Sequence, residues 1–319
     1  MDVILPLADE YLLDSLYAKV IPLSAFAATP EAYEGLNSTL VPSKWTQLVS
    51  HLPHPPLPEV AAYEAVSAWP RDYLLRESIS ITVLTLLGIH LLYFSTAWFS
   101  YNFIFDKRMM RHPKFLKDQV RLEIVTSLKA FPMMTLLTLP WFLAEVHGHS
   151  RLYDNVSTYG WPYFLFSIFF FLAFTDYCIY WAHRWLHIPV IYRWLHKPHH
   201  KWIIPTPFAS HAFHPCDGYI QSLPYHIFIF LFPLHRYLYL GLFVFVNFWS
   251  IFIHDSDMIT GHPLENIING PAHHTLHHVY FTVNYGQYFT WSDRAGGSYM
   301  HPDYKFDPLR DIKEEKKAQ

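Results

Sequence analysis

The sequence predicts an all-α integral membrane protein of about four to five membrane helices, the last pair a short hairpin, with a cytosolic histidine-rich cap for two metal ions. Three observations predict it. Of 319 residues, 52% are hydrophobic, 18% aromatic and only 15% charged, which is too apolar for an ordinary soluble domain. Nearly uncharged runs long enough to cross about 30 Å of hydrocarbon recur along the chain. The 22 histidines nearly equal the 23 lysines and arginines, and seven of them fall between His183 and His214, so imidazole is concentrated rather than scattered.

Residues 1–75 begin with acids (Asp2, Asp9, Glu10) in place of a basic stretch and read as a separate leader, not a cleaved signal peptide. The LPHPPLP piece at 52–58 ends any helix before it. Ile79 to Phe105 forms the first membrane helix. The basic loop that follows, with Lys107, Arg108, Arg111, Lys114, Lys117 and Arg121, marks the cytosolic side. Ala130 to Val146 crosses next, short and interrupted by Pro132 and Pro140. Residues 147–159 read as luminal, and Asn155, like Asn37, begins a short glycosylation sequon of low specificity. Trp161 to Ala182 then returns with an aromatic wall at 164–174 and delivers His183 to the cytosolic face. Ile220 to Ile253, broken at PLHR, is a hairpin that dips in and returns, and His254 emerges at its end. The path gives five crossings, a luminal leader and a cytosolic tail. Its divisions are a leader (1–75), membrane helices 1 to 3 (76–182), two histidine clusters (183–219), a membrane hairpin (220–253), a third cluster (254–300) and a tail (301–319).

His183 and His187, four apart, project within about 40° of each other on one helix face. His196, His199 and His200 follow at i, i+3 and i+4, and His274, His277 and His278 repeat that spacing. Neutral imidazole suits iron, zinc, copper or nickel, and one ion rarely takes more than about four protein ligands, so eight imidazoles point to two ions. His254 is the best additional ligand, with His211, His214 and His273 as further candidates. Asp176 shares the face of His183 inside a membrane span, where an acid is costly, and is expected to orient a ligand imidazole. His90 reads as a helix-contact residue. Cys178 and Cys216 supply neither a disulfide framework nor a thiolate zinc site. A net charge of −3 with no dominant basic patch excludes a nucleic-acid partner.

The motifs HRWLH, HKPHH and HTLHH resemble those of the fatty acid hydroxylase superfamily of membrane di-metal oxidases. Three further segments, KWIIPTPFASHAFHPCDGYIQSLPYH (201–226), FIHDSD (252–257) and VNYGQYFTWSDRAGGS (283–298), look like those of the sterol C-5 desaturases of lathosterol oxidase type. The likeness runs from about Trp69 to Tyr299 and leaves the leader outside. It implies an enzyme of the endoplasmic reticulum membrane, with its site and C-terminus cytosolic, that uses two irons and O₂ to place a C5=C6 double bond in a Δ7-sterol. Electrons would come from NADH through cytochrome b5 reductase and cytochrome b5. The chain has no HPGG-type cytochrome b5 segment, so the donor is a separate protein, and the basic loop at 107–121 offers a docking face. Zinc can replace iron in a purified sample, because imidazole sites bind it more tightly than ferrous iron. Hydroxylase relatives carry a second HxxxH after the last hairpin, whereas Met258 here follows His254, which leaves open a missing ligand, a water or a substitute such as His211. The closing KKAQ resembles a dilysine retrieval signal.

Two rivals compete with desaturation. A sibling sterol 4-methyl oxidase or lipid hydroxylase would use the same metals and end in oxygen insertion, but PTPFASHAFHP and NYGQYFT favour desaturation. A histidine-rich metal transporter or sensor would place its ligands near the bilayer midplane, whereas these clusters flank the spans.

Overall fold

The computed structural model describes residues 1–27, 43–57 and 66–312, and helices dominate among them. Four are long and apolar enough to cross a membrane: α1 (Leu74–Phe103), α2 (Gln119–Val146), α3 (Gly160–Leu186) and, after the shorter α4 (Pro215–Leu231), α5 (Arg236–Ile253). The chain is thus a multi-pass membrane protein. Two short helices follow, α6 (Pro271–Tyr280) and α7 (Trp291–Gly296). Asn37 and the KKAQ tail lie outside the described residues.

One compact unit comprises residues 1–85 and 142–147. Helical turns from Ile4 to Val20 are fixed to the first turns of α1, where Arg76 donates to Asp9 at 2.6 Å and to Asp14 at 2.5 Å. Tyr17 and Ser80 hydroxyls meet at 3.0 Å, and Glu77 lies 2.9 Å from His147 at the end of α2. These contacts hold the leader's helical turns to the start of α1.

The other unit comprises residues 86–141 and 148–319. The second crossing starts at Gln119, not at Ala130 as the hydropathy alone implies. The charges that hid its first turns are disposed of individually: Arg121 and Lys129 are exposed, while Glu123 is buried and accepts from Gln119 Nε2 at 2.7 Å and from the Thr206 hydroxyl. Pro132 and Pro140 both sit inside the helix, which membrane helices tolerate when neighbours satisfy the freed carbonyls. The basic loop shortens accordingly: a 3-10 turn over Lys107–Arg111, capped by Asp106, leads into residues 112–118 with Lys114 and Lys117, and Arg121 moves onto α2.

Helices α4 and α5 form the expected hairpin. Its tip pairs in parallel with the preceding loop, β1 (Leu152–Tyr153) against β2 (Leu234–His235), and Arg236 donates to Asp154 at 2.6 Å. Phe171 and Ile179 of α3 pack with Tyr225, Phe228 and Ile229 of α4 and with Tyr239, Leu242 and Val246 of α5. The aromatic wall is split by this packing: Phe171 is fully buried, whereas Phe166 and Phe169 are 55% and 68% exposed along the apolar helix surface. His90 is a helix contact, its Nδ1 2.6 Å from the Leu86 carbonyl and its ring against Phe131.

Candidate metal centre

Helix α3 carries His183 in its last turn and ends with His187 as its C-cap. Pro189 restarts helical turns that pass through Tyr192–His196 and continue to His200. Helix α5 ends at His254, again a C-cap. Helix α6 begins with Pro271 at its first position, which needs no N–H partner, and presents His274, His277 and His278. Helix termini and one short helix thus bring nine imidazoles to one end of the helices.

The nine form two groups, not three. His183, His187, His196, His200 and His277 make the first, and His199, His254, His274 and His278 the second; within each, the ligand nitrogens lie within 4.8 Å of one another. In the first group Nε2 of His183 is 3.1 Å from that of His196, His187 is 3.1 Å from His200, and His200 is 3.0 Å from His277. In the second, His254 is 3.4 Å from His199 and 2.9 Å from His274, which is 3.1 Å from His278.

On five of the nine rings the opposite nitrogen fixes the tautomer. Nδ1 of His183 faces the Tyr285 carbonyl at 3.0 Å, that of His277 faces Val283 at 2.7 Å, and that of His278 faces Trp202 at 2.9 Å. Nδ1 of His254 faces the Ser250 carbonyl at 2.5 Å, and that of His196 faces an Asp217 oxygen at 2.7 Å. Each acceptor has no proton to give, so each Nδ1 donates and each Nε2 presents a lone pair to its group. Burial and the neighbouring imidazoles push His199, His200, His274, His277 and His278 well below the usual histidine range, and burial brings His254 to about 4. Neutral rings with lone pairs converging at such distances repel unless a cation sits among them. Two nitrogens at about 2.1 Å from one ion, at right angles, stand about 3 Å apart, which is the spacing of these pairs. The donor set fits a metal in both groups.

The structure revises two readings of the sequence. Asp176 orients no ligand ring directly; its Oδ1 receives the backbone N–H groups of Gln287, Tyr288 and Phe289 at 3.0, 2.7 and 3.2 Å. It pins the loop whose Tyr285 carbonyl holds His183, while the acid that touches a ligand ring is Asp217, twenty-one residues from His196. Met258 is buried against Ala272 and Leu276, and four imidazoles make up the second group. Met258→Leu should accordingly keep metal content and turnover within about twofold, since this swap nearly conserves volume; a lost ion by elemental analysis would restore Met258 to the site.

His211, His214 and His273 stand outside both groups. His211 lies between Ser210 and Asn247, and burial lowers it to about 4. His214 caps α4 by accepting from Cys216 N–H. The His273 ring packs against Tyr299. The sequence reading missed Asp217 and Asp293. Asp293 accepts the N–H groups of Tyr285 and Gly286, each at 2.8 Å, and so holds the same loop as Asp176. Only the DRAGGS and CDG contexts could have marked them.

The family model "Fatty acid hydroxylase" matches residues 168–298, a span that contains all nine imidazoles. A Delta(7)-sterol 5(6)-desaturase of Gibberella zeae is 47% identical over 98% of this chain and 93% of its own length. The Delta(7)-sterol 5(6)-desaturase of Schizosaccharomyces pombe is 57% identical over 76% of this chain and 79% of its own. Lathosterol oxidase of Mus musculus is 52% identical over 75% of this chain and 81% of its own. No solved structure matches. With near-half identity along almost its whole length and the matched segment enclosing both histidine groups, the chain belongs to the Δ7-sterol 5(6)-desaturases, oxidoreductases of the fatty acid hydroxylase family.

Proposed function

We propose that this protein desaturates a Δ7-sterol at C5–C6 in the endoplasmic reticulum membrane, with its site and C-terminus in the cytosol. The observation that carries the reading is the pair of convergent imidazole groups at the ends of membrane helices, in a chain so similar to sterol desaturases. His183, His187, His196, His200 and His277 would hold one iron, and His199, His254, His274 and His278 the other. A bound iron pair supplies the O₂ activation that an unactivated C–H bond requires. The reaction balances as sterol, O₂, two electrons and two protons giving the 5,7-diene and two waters. The electrons come from NADH through cytochrome b5 reductase and cytochrome b5.

The protein's own groups do the rest. The carbonyls of Tyr285, Val283, Trp202 and Ser250 and the Asp217 carboxylate hold five rings in one tautomer and one orientation. Burial of the groups shields the imidazole donors from bulk water. Their position at the helix ends lets a sterol approach from the hydrocarbon side while the donor approaches from the aqueous side.

The test is sterol analysis by mass spectrometry of microsomes carrying the protein, given a Δ7-sterol, NADH and O₂. The expected product is two mass units lighter and shows 5,7-diene absorbance. A product heavier by one oxygen would instead make the protein a hydroxylase, and no product with iron loaded and a competent donor would overturn the enzymatic reading.

A further inference from the structure

The stretch from Tyr192 to Lys201 supplies His196 and His200 to the first group and His199 to the second. Its backbone continues in helical turns, with Lys197 N–H on the Tyr192 carbonyl and the N–H groups of His199 and His200 on that of His196. The three imidazoles turn inward and are buried, whereas Arg193, Lys197 and Lys201 recur every four residues on the outer face and are exposed. No acid pairs with these three cations among the described residues. Trp194 and Val190 lie on the same face at 70% and 73% exposure, and the Arg193 guanidinium sits 5.8 Å from the Trp194 ring.

We propose that Arg193, Lys197 and Lys201, with Trp194 among them, form the docking surface for an acidic one-electron donor protein. The inference rests on the desaturase reading above, which needs two electrons from outside the chain. Electron transfer weakens steeply with distance, and both groups are buried, so the donor must dock where the covering layer is thin. On this face Lys197 follows His196 directly, Lys201 follows His200, and the same turn leads to both groups. Three cations with no acid partner among the described residues, Lys201 lying over the Trp202 ring at 5.0 Å, complement an acidic protein rim around the exposed Trp194, because charges of this kind steer encounter while Trp and Arg anchor it. The basic stretch at 107–121 also exposes Arg111, Lys114, Lys117 and Arg121, but it supplies no ligand to either group and so offers no short path to them. Within it, Arg108 is engaged by Asp106 and Lys107 by Asn102.

The experiment uses the full chain, iron-loaded, in nanodiscs of neutral lipid, with the soluble haem domain of cytochrome b5 as the acidic donor. Binding is measured without sterol, so a failure of docking is distinguishable from a failure of sterol oxidation, which is read separately as 5,7-diene. The double variant Lys197→Glu with Lys201→Glu should weaken donor binding about tenfold and flatten its salt dependence. Lys197→Arg with Lys201→Arg should restore it, and Lys114→Glu with Lys117→Glu should change it less than about twofold. Iron content and single-turnover oxidation after chemical reduction should be the same in all variants. Wild-type affinity in the Lys197/Lys201 double variant overturns the proposal, as does a larger loss from the Lys114/Lys117 pair. The proposal also falls if donor affinity is unchanged and only stimulation by anionic lipid is lost, because the patch would then be a membrane-surface contact.

Discussion

Replacing His277 by alanine is expected to lower 5,7-diene formation more than about a hundredfold and to remove iron from the first group. Changes one layer outside a metal already cost about 10–100-fold, and this one removes a donor itself. The His277 ring sits centrally, 4.4 Å from the His183 ring, 4.7 Å from His200 and 4.9 Å from His187, with its Nε2 aimed at His200. Alanine is the better helix former, so α6 should persist and membrane insertion with it. Mass-spectrometric sterol analysis beside iron counted per chain checks the result. Wild-type turnover with a full metal complement would remove His277 from the site.

Asp217 should have the next largest effect. Its Oδ2 receives His196 Nδ1–H at 2.7 Å, with both residues fully buried, and its Oδ1 receives the half-buried Gln221 at 2.8 Å. Asp217→Asn keeps the volume and an acceptor but loses the negative charge that makes His196 a stronger donor to a metal. Asp217→Ala loses both and leaves a buried N–H unpaired. Turnover should fall about 10–100-fold, more for alanine than for asparagine, and chelator competition should show faster iron loss in the same order. Equal activity and equal iron retention in both variants would reduce Asp217 to a packing residue.

The local patterns were the most legible part of the sequence. His183 with His187, and the two i, i+3, i+4 sets, are short-range spacings that any helix converts into a shared face. What spacing could not convey is the partition: His199 joins His254, His274 and His278, while its neighbours His196 and His200 face the other way. That division depends on how α3, α5 and α6 end beside one another, which is tertiary information. Asp217 was hidden for the same reason, its contact with His196 being made across the start of α4. Asp176 was singled out correctly as a costly acid in a span, yet its partners are backbone N–H groups more than a hundred residues away. The start of α2 was obscured because hydropathy counts Glu123 as a charge facing lipid, whereas Gln119 and Thr206 receive it in the interior.

The Tyr192–His200 turn and helix α6 each contribute imidazoles to both groups: His196 and His200 against His199, and His277 against His274 and His278. Two ions held this way are thermodynamically linked. Whichever binds first immobilises segments that the second also needs, so the second meets a smaller ordering cost, and the affinity gain is reciprocal. Where this shared ordering outweighs the repulsion between the two cations, metal occupancy is expected to be cooperative, and a chelator that strips one ion is expected to loosen the other.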